Sequence, residues 1–288
     1  MTLRSILAVT DFSSKGCHAI ARAALLCAEH RATLKLVYLA HPDEAPPPDA
    51  AVRLAQHALQ LMQRHHITVQ AATRMDLTAA DVAREAADAD LVVWGTAPLR
   101  GLAAWFRTHP AVRMLRACQR PVLVVRKAAA QPYQSLLVAV DFSQVSQRLV
   151  ELGSALQPSA RVELFHAIDT IDDGKLRSID VSSEAIRANR FGSRLLARDR
   201  LAQLIGTLDA TRPPLAFDVE HGDPAYSTAL HLRATQADLV VVGKRRSSSL
   251  ARFLTGSVAQ RLARWADSDV LIAPLDRLAS PTTTGNSR

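Results

Sequence analysis

The sequence is poor in cysteine and contains no long apolar run. Its three cysteines, Cys17, Cys27 and Cys118, form no CxxC pair, so we expect small buried side chains carried by helices, not a disulfide framework or a zinc site. No apolar run approaches the roughly 18–20 residues that span a bilayer. No basic segment followed by an apolar segment and a cleavage site stands at the N-terminus. These absences predict a cytoplasmic chain with no membrane partner.

The common fingerprints of nucleotide-using and hydrolytic enzymes are also missing. The sequence has no GxGxxG, no GxxxxGK[ST], no HExxH and no GxSxG, which excludes the corresponding dehydrogenase, P-loop, metalloprotease and hydrolase motifs. The ten histidines show no ligand spacing beyond the adjacent pair His65 and His66. That pair is typical of a helix end, where it complements the dipole. We therefore predict no catalytic residue and no metal site.

Basic residues are in excess, with a formal net charge of +8. The densest stretch, residues 244–264, holds six basic residues and no acid, which favours non-specific attraction to nucleic acid. An aromatic stacking platform is lacking there, because Phe253 and Trp265 are expected to be buried. We expect only weak, sequence-blind association and no specific nucleic-acid partner.

The chain repeats itself. Residues 4–13 return at an offset of 130, including the Asp-Phe-Ser turn, while residues 90–95 and 119–125 return at an offset of 148. The offset grows by 18, so the second copy carries an insertion, which falls between about 169 and 214. A repeat of this length indicates two related domains.

Each copy alternates five short apolar strands with helices, which predicts a parallel sheet covered on both faces. The predicted fold class is α/β, with two tandem doubly wound domains packed as a pseudo-dimer. The last strands of the two copies are apolar edges that need cover, so we expect them to meet. The predicted divisions are domain 1 at 1–128, a short link at 127–133, domain 2 at 133–275 and a disordered tail at 276–288.

One loop of the second copy has the character of a phosphate site. In open parallel sheets, ligands bind at the carboxyl ends of the strands where the strand order reverses. Asp141, the pair His166-Ala167 and the loop 243–257 should meet there. Gly243 can adopt a positive φ, and a helical pattern begins at Ser257, whose free N–H groups would attract phosphate.

This loop resembles the nucleotide signature of the universal stress protein family, G-x-x-G-x9-G-[ST]. Gly243, Gly256 and Ser257 stand at matching spacings, and Asp141 matches too. The resemblance covers about residues 3–127 and 133–275. It implies a fold like the adenine-nucleotide α-hydrolases in each copy and a cytoplasmic stress-response function. It also implies ATP or a related adenine nucleotide as ligand, with Mg²⁺ as counter-ion.

The same resemblance assigns the site residues. Those that would face adenosine are Ala139, Asp141 and Ala167, and those that would face the ribose phosphates are Gly243, Gly256, Ser257 and Val258. Arg246 stands where the signature has its second glycine. Its side chain would either crowd the phosphates or grip them bidentately, and the sequence does not choose between these.

The first copy departs further from the signature. Its loop keeps Gly95, but Pro98 takes the second-glycine position and Thr108-His109 replace Gly-Ser. Pro110 then has no N–H to donate. We predict that domain 1 is a degenerate, structural copy.

Three functions stay open at this point. The first is a nucleotide-responsive stress protein that acts as a binding module. The second is a scaffold of the same family that has lost the ligand, with unknown protein partners or a homodimer. The third is a slow ATPase or nucleotide-transfer enzyme, for which His166 and Lys244 are weak candidates.

Structural alternatives stay open as well. Asp11 and Asp141 could cap the helices that follow them, and Gly243 and Gly256 could be turn residues only. The three tryptophans are expected in the core or in an interface.

Overall fold

The computed structural model describes residues 3–40, 45–95, 118–170, 182–208, 215–244 and 258–274. The first half contains β1 (Ser5–Thr10), α1 (Ser14–His30), β2 (Thr33–Tyr38), α2 (Ala50–His65), β3 (Val69–Ala71), α3 (Ala79–Glu85), a 3₁₀ turn (Ala86–Asp88), β4 (Leu91–Gly95) and β5 (Val122–Val125). The second half contains β6 (Ser135–Ala139), α4 (Ser146–Leu156), β7 (Arg161–Ile168), α5 (Ser183–Gly206), β8 (Ala216–His221), α6 (Pro224–Ala234), β9 (Leu239–Lys244), α7 (Val258–Trp265) and β10 (Asp269–Pro274).

All ten strands form one sheet in the order β3-β2-β1-β4-β5-β10-β9-β6-β7-β8. Neighbouring strands are parallel within each half. The two halves join where β5 and β10 pair antiparallel, with Leu123 opposite Leu271. The predicted doubly wound domains and their pseudo-dimeric packing are confirmed.

The strands form because their side chains are apolar on both faces, as a sheet covered twice requires. In β6, Leu137 packs into the core cluster on one face, and its neighbour Val138 packs into the cluster on the other. In β1, Leu7 and Ala8 divide in the same way. Burial on both faces leaves each strand a single register.

The first helix begins at a serine, not at the aspartate that the sequence suggested. Ser13 is the N-cap of α1 and accepts from Gly16 N at 3.1 Å. Asp11 lies two residues before Ser13 and accepts from Ser13 N at 2.9 Å. The capping role considered for Asp11 is therefore wrong, because its carboxylate orients the cap and does not reach the helix N–H groups.

The insertion of the second copy lengthens a helix. α5 has 24 residues, whereas its counterpart α2 has 16. The longer helix exposes Phe191, Leu195 and Leu196. Residues 171–181 and 209–214, which complete the insertion, lie outside the described residues.

A buried polar network ties the two halves together around Asp269 of β10, which is 1% exposed. Its carboxylate accepts from Tyr133 Oη at 2.6 Å and from Arg126 N at 2.7 Å. Arg22 of α1 completes the network, with its Nε 3.6 Å from Asp269 Oδ2 and its guanidinium 3.8 Å above the Tyr133 ring. One network therefore contacts domain 1, the link and domain 2.

The pseudo-symmetric side of the same interface is apolar. Leu3, Pro121 and Leu152 line one small cavity there, together with Leu271. By the repeat offsets, Leu3 corresponds to Tyr133, Pro121 to Asp269 and Leu152 to Arg22. The interface is thus polar on one side of the pseudo-axis and apolar on the other.

The expected burial of the cysteines and tryptophans is confirmed only in part. Cys27 and Cys118 are buried while Cys17 is partly exposed, and burial raises the pKa of Cys27 to about 12. Trp94 packs partly buried against the core. Trp265 is 38% exposed, so its expected burial is wrong. It is the last residue of the eight-residue α7, where its ring lies 4.7 Å from the Arg261 guanidinium.

No helix in the described part of the chain has both the length and the apolar character that crossing a membrane requires.

Candidate functional site

The strand order of the second half reverses between β6 and β9, which places a switch point at their carboxyl ends. Ala139 ends β6 and is paired with Val242 of β9 on one side and with Phe165 of β7 on the other. Ala139, Ala167 and Val258 are all partly buried against the same core cluster. The structure therefore brings three of the predicted site residues to one side of the sheet.

Asp141 is exposed just past the end of β6. Its Oδ1 accepts from Ser143 N at 3.1 Å and from Ser146 Oγ at 3.3 Å. The N-cap position of α4 is Val145, with no side-chain cap bond. Asp141 is thus not the helix cap that was considered, and its carboxylate lies at the rim of the switch point.

The turn after Asp141 is held by an aromatic pair. Phe142 adopts a left-handed φ of 55°, and its ring centroid lies 4.2 Å from that of His166. His166 Nδ1–H donates to Val140 O at 2.8 Å. Burial lowers the pKa of His166, against the opposite effects of the Val140 carbonyl and Asp141. A neutral ring of this kind presents Nε2 as an acceptor.

The first half builds the same turn with larger neighbours. Phe12 has a φ of 61° and stacks on Tyr38 at 4.8 Å, as Phe142 does on His166. The strand register then matches Val9 to Ala139 and Leu39 to Ala167. Both larger side chains are buried, at 1% and 5% exposure. Domain 1 thus has larger, buried side chains at the two positions where domain 2 has partly buried alanines.

Gly95 ends β4 and has a structural reason to be glycine. A Cβ at this position would lie 1.7 Å from Lys15 O of α1, closer than any side chain can tolerate. Its retention in the first copy follows from this close approach to α1. Gly243, its counterpart, pairs with Ala273 in the register of β9 and β10.

The phosphate part of the predicted site is only partly described. Arg246, Gly256 and Ser257 lie outside the described residues, as do positions 98–110 of the first copy. Val258 is the first residue of α7.

A bidentate ion pair joins α7 to the start of α6. Arg261 donates to both carboxylate oxygens of Asp223 at 2.6 Å. Asp223 also caps α6 by accepting from Tyr226 N. Burial alone would raise the pKa of Asp223, but the hydrogen bonds from Arg261 and the backbone, with the charge of Arg261, lower this pKa overall. The pairing also neutralises one of the six basic residues that suggested attraction to nucleic acid.

A second polar cluster, which the sequence analysis missed, consists of His231 with Glu163, Asp218 and Glu220. Its members come from three elements, and the only short spacing among them is Asp218-x-Glu220, which alone is too common to mark a site.

Comparisons with known proteins agree with this architecture. The model of the universal stress protein family matches residues 2–126 and again residues 132–274. A universal stress protein of Mycolicibacterium smegmatis is 27% identical over 290 residues, which cover 93% of this chain and 96% of that protein. A universal stress protein structure from Archaeoglobus fulgidus has a TM-score of 0.66 at 13% identity, covering 94% of this chain and 96% of that one. A structure of a functionally unknown protein from Pseudomonas aeruginosa has a TM-score of 0.65 at 20% identity, with 96% and 95% covered. Because the family's model matches both halves, the chain belongs to the universal stress protein family as a tandem of two copies.

Proposed function

We propose that the chain is a cytoplasmic, nucleotide-responsive binding module whose second domain takes ATP or a related adenine nucleotide. The observation that carries this is the difference between the two switch points. Domain 2 has the partly exposed Ala139 and Ala167 where domain 1 buries Val9 and Leu39. An adenosine needs a largely preformed, mostly apolar cleft, and the alanines occupy less of this region in domain 2 than Val9 and Leu39 occupy in domain 1.

Neighbouring groups fit the polar parts of such a ligand. Asp141 offers an exposed carboxylate at the rim, which can accept hydrogen bonds from ribose or adenine donors. The α7 helix starts at Val258, and its first N–H groups and positive dipole end favour an anion. The family signature adds Gly243, Gly256 and Ser257 to the proposed site. Arg246, at the position of the second glycine of the signature, is included as well. Mg²⁺ would accompany the phosphates as their counter-ion, and no protein ligand is assigned to it.

One universal stress protein has been solved in complex with cAMP, and it is 22% identical over 50% of this chain. That finding concerns the other protein. The proposal for this chain rests on its own side chains.

Binding without catalysis fits the described groups. His166 uses Nδ1 to hold the Val140 carbonyl and its ring to hold Phe142. Both contacts give it a structural role in the turn. We therefore propose a regulatory module and not an enzyme.

The test fills the proposed cleft with the side chains of domain 1. Titration calorimetry of the full chain with ATP should show one bound nucleotide, and the double variant Ala139→Val with Ala167→Leu should lose at least tenfold in affinity. Domain 1 carries both larger residues at these positions, so the variant should fold. Ala216→Val, at an exposed position of β8, is the matched control and should bind as the wild type does.

A second variant decides the role of Arg246. Weaker binding by Arg246→Ala would identify a phosphate clamp, and tighter binding would identify an obstruction. Absence of heat from the wild type at millimolar ATP, with binding restored by Arg246→Gly, would instead make the scaffold function the better account. Mass spectrometry of the denatured protein checks independently for a co-purified nucleotide.

A further inference from the structure

A cluster of one histidine and three carboxylates lies on the face of the sheet that α6 covers. Asp218 and Glu220 are two residues apart on β8, so their side chains point to the same face. Glu163 and Phe165 of β7 share that face, because Phe165 is the register partner of Asp218. His231 reaches down onto them from α6.

His231 is held in one orientation. It is only 9% exposed, and its ring stacks on Phe165 with centroids 4.4 Å apart. Its Nε2 lies 2.9 Å from Glu163 Oε1. In its neutral form, a histidine that donates Nε2–H to a carboxylate has Nδ1 available as a metal ligand.

The Nδ1 atom faces two further carboxylates without bonding to either. It lies 3.8 Å from Asp218 Oδ2 and 4.0 Å from Glu220 Oε1, beyond hydrogen-bond distance. Among the described residues, Nδ1 has no hydrogen bond. Three carboxylates around one imidazole attract a cation to the space that His231 Nδ1, Asp218 and Glu220 share.

We propose that Asp218, Glu220 and His231 bind a divalent transition-metal cation of the Zn²⁺ type, with Glu163 as a positioning residue. One ligand atom from each of the three lies within 4.8 Å of the other two. Two ligands on zinc are about 3.4 Å apart when each bond is about 2.1 Å. The Nδ1 distances of 3.8 and 4.0 Å would therefore shorten by about half an ångström, and the two carboxylates would approach each other by at most about 1.4 Å from their limit of 4.8 Å. An imidazole ligand favours zinc over magnesium and calcium.

The remaining contacts leave the cation space free. Asp218 uses its other oxygen, Oδ1, to accept from Val219 N at 2.8 Å and to pair with Arg194 at 3.8 Å. Glu220 is 42% exposed at its side chain, which gives an ion a path from solvent and leaves room for water ligands. The bound cation would join β8 to α6. It would also stand beside Ala167, the register partner of Glu220.

The test uses the full chain, stripped of metal by a chelator and free of nucleotide, so that its outcome is independent of ATP binding. Calorimetry with zinc chloride should show a site that His231→Gln and Asp218→Asn each weaken at least tenfold. Glu163→Gln, which keeps all three ligands, should weaken it about 10- to 100-fold. Cobalt chloride should give visible absorption bands in the wild type that His231→Gln removes, and zinc should raise the wild-type Tm.

Two control variants carry the same types of substitution at residues outside the cluster. His57→Gln on α2 and Asp199→Asn on α5 should bind zinc as the wild type does. Should His231→Gln fail to fold, Asp218→Asn and Glu163→Gln carry the test alone. The proposal is overturned if millimolar zinc gives no heat and no change in Tm. It is equally overturned if the cluster variants bind zinc as tightly as the controls, because the zinc would then bind outside the cluster.

Discussion

Glycine at position 95 serves packing at the scale of a single residue. Its missing Cβ lets the end of β4 approach the Lys15 carbonyl of α1. Gly95→Ala should therefore lower the free energy of unfolding by about 1–3 kcal/mol, the usual cost of overpacking. Urea denaturation measures this directly.

Gly192 provides the opposite control for that prediction. It lies within α5, exposed, and a Cβ there would meet nothing within 4 Å. Gly192→Ala should stabilise the chain by up to ~1 kcal/mol, because alanine loses less conformational freedom in a helix. Equal effects from the two substitutions would contradict the packing role of Gly95.

Residue-level roles were the hardest to predict from sequence. From the sequence pattern, Gly95 is interpreted as a remnant of a nucleotide loop. In the structure, it is needed for the close approach to Lys15, which lies 80 positions away in the chain. Asp11 was considered as a cap, and the structure gives that role to Ser13. In both cases the residue type was compatible with two roles. The three-dimensional contacts of the residue decide between those roles, and the sequence does not show them.

At the scale of elements, the Asp223–Arg261 pair connects the start of α6 to α7. Asp223→Asn keeps a capping oxygen but loses the charge, so we expect a loss of at most ~1 kcal/mol near neutral pH. The folded-state pKa of Asp223 is lowered, so its contribution is present above the unfolded value and is lost as pH falls through the folded one. The difference between wild type and variant should thus shrink below about pH 4.

Urea unfolding at pH 7 and pH 3 checks this pH dependence. Asp199→Asn on α5 is the control. In the described part of the chain, Asp199 accepts a hydrogen bond from Gln203 and forms no ion pair. A wild-type advantage over Asp223→Asn that persists unchanged at pH 3 would show that the ion pair is not its source.

The elements themselves could be predicted well from sequence. Runs such as residues 136–140 and 239–242 are short, apolar without interruption and rich in valine, which is typical of a strand buried on both faces. Trp265 was misplaced because its helical spacing matches that of Leu262, while the position of a helix end relative to the core is a tertiary property. The cluster around His231 was missed for a similar reason. Its residues belong to β7, β8 and α6, and only the sheet register brings them together.

For the whole molecule, the interface between the domains carries its own specificity. Arg22, Tyr133 and Asp269 form the polar side, and Leu152, Leu3 and Pro121 occupy the equivalent positions on the apolar side. If two copies of domain 2 paired in the same way, each Asp269 would face a leucine in place of Arg22. Leaving a buried charge unpaired is costly, so the sequence favours pairing of unlike domains within one chain.

A double-mutant cycle tests this network in the full chain. Asp269→Asn removes the anionic partner of Arg22, which is 6% exposed and keeps only its bond to Gln131 O and its contact with the Tyr133 ring. The substitution should lower the free energy of unfolding by about 3–5 kcal/mol. Arg22→Leu, which places the residue of position 152 on the polar side, should cost less, because Asp269 keeps its bonds from Tyr133 and Arg126 N. The double variant should be more stable than the sum of the two losses predicts, by about 0.5–3 kcal/mol. Guanidinium denaturation of the four proteins gives this coupling energy. Strict additivity would show that Arg22 and Asp269 do not stabilise each other, and the specificity of domain pairing would then have to reside in the β5–β10 contact.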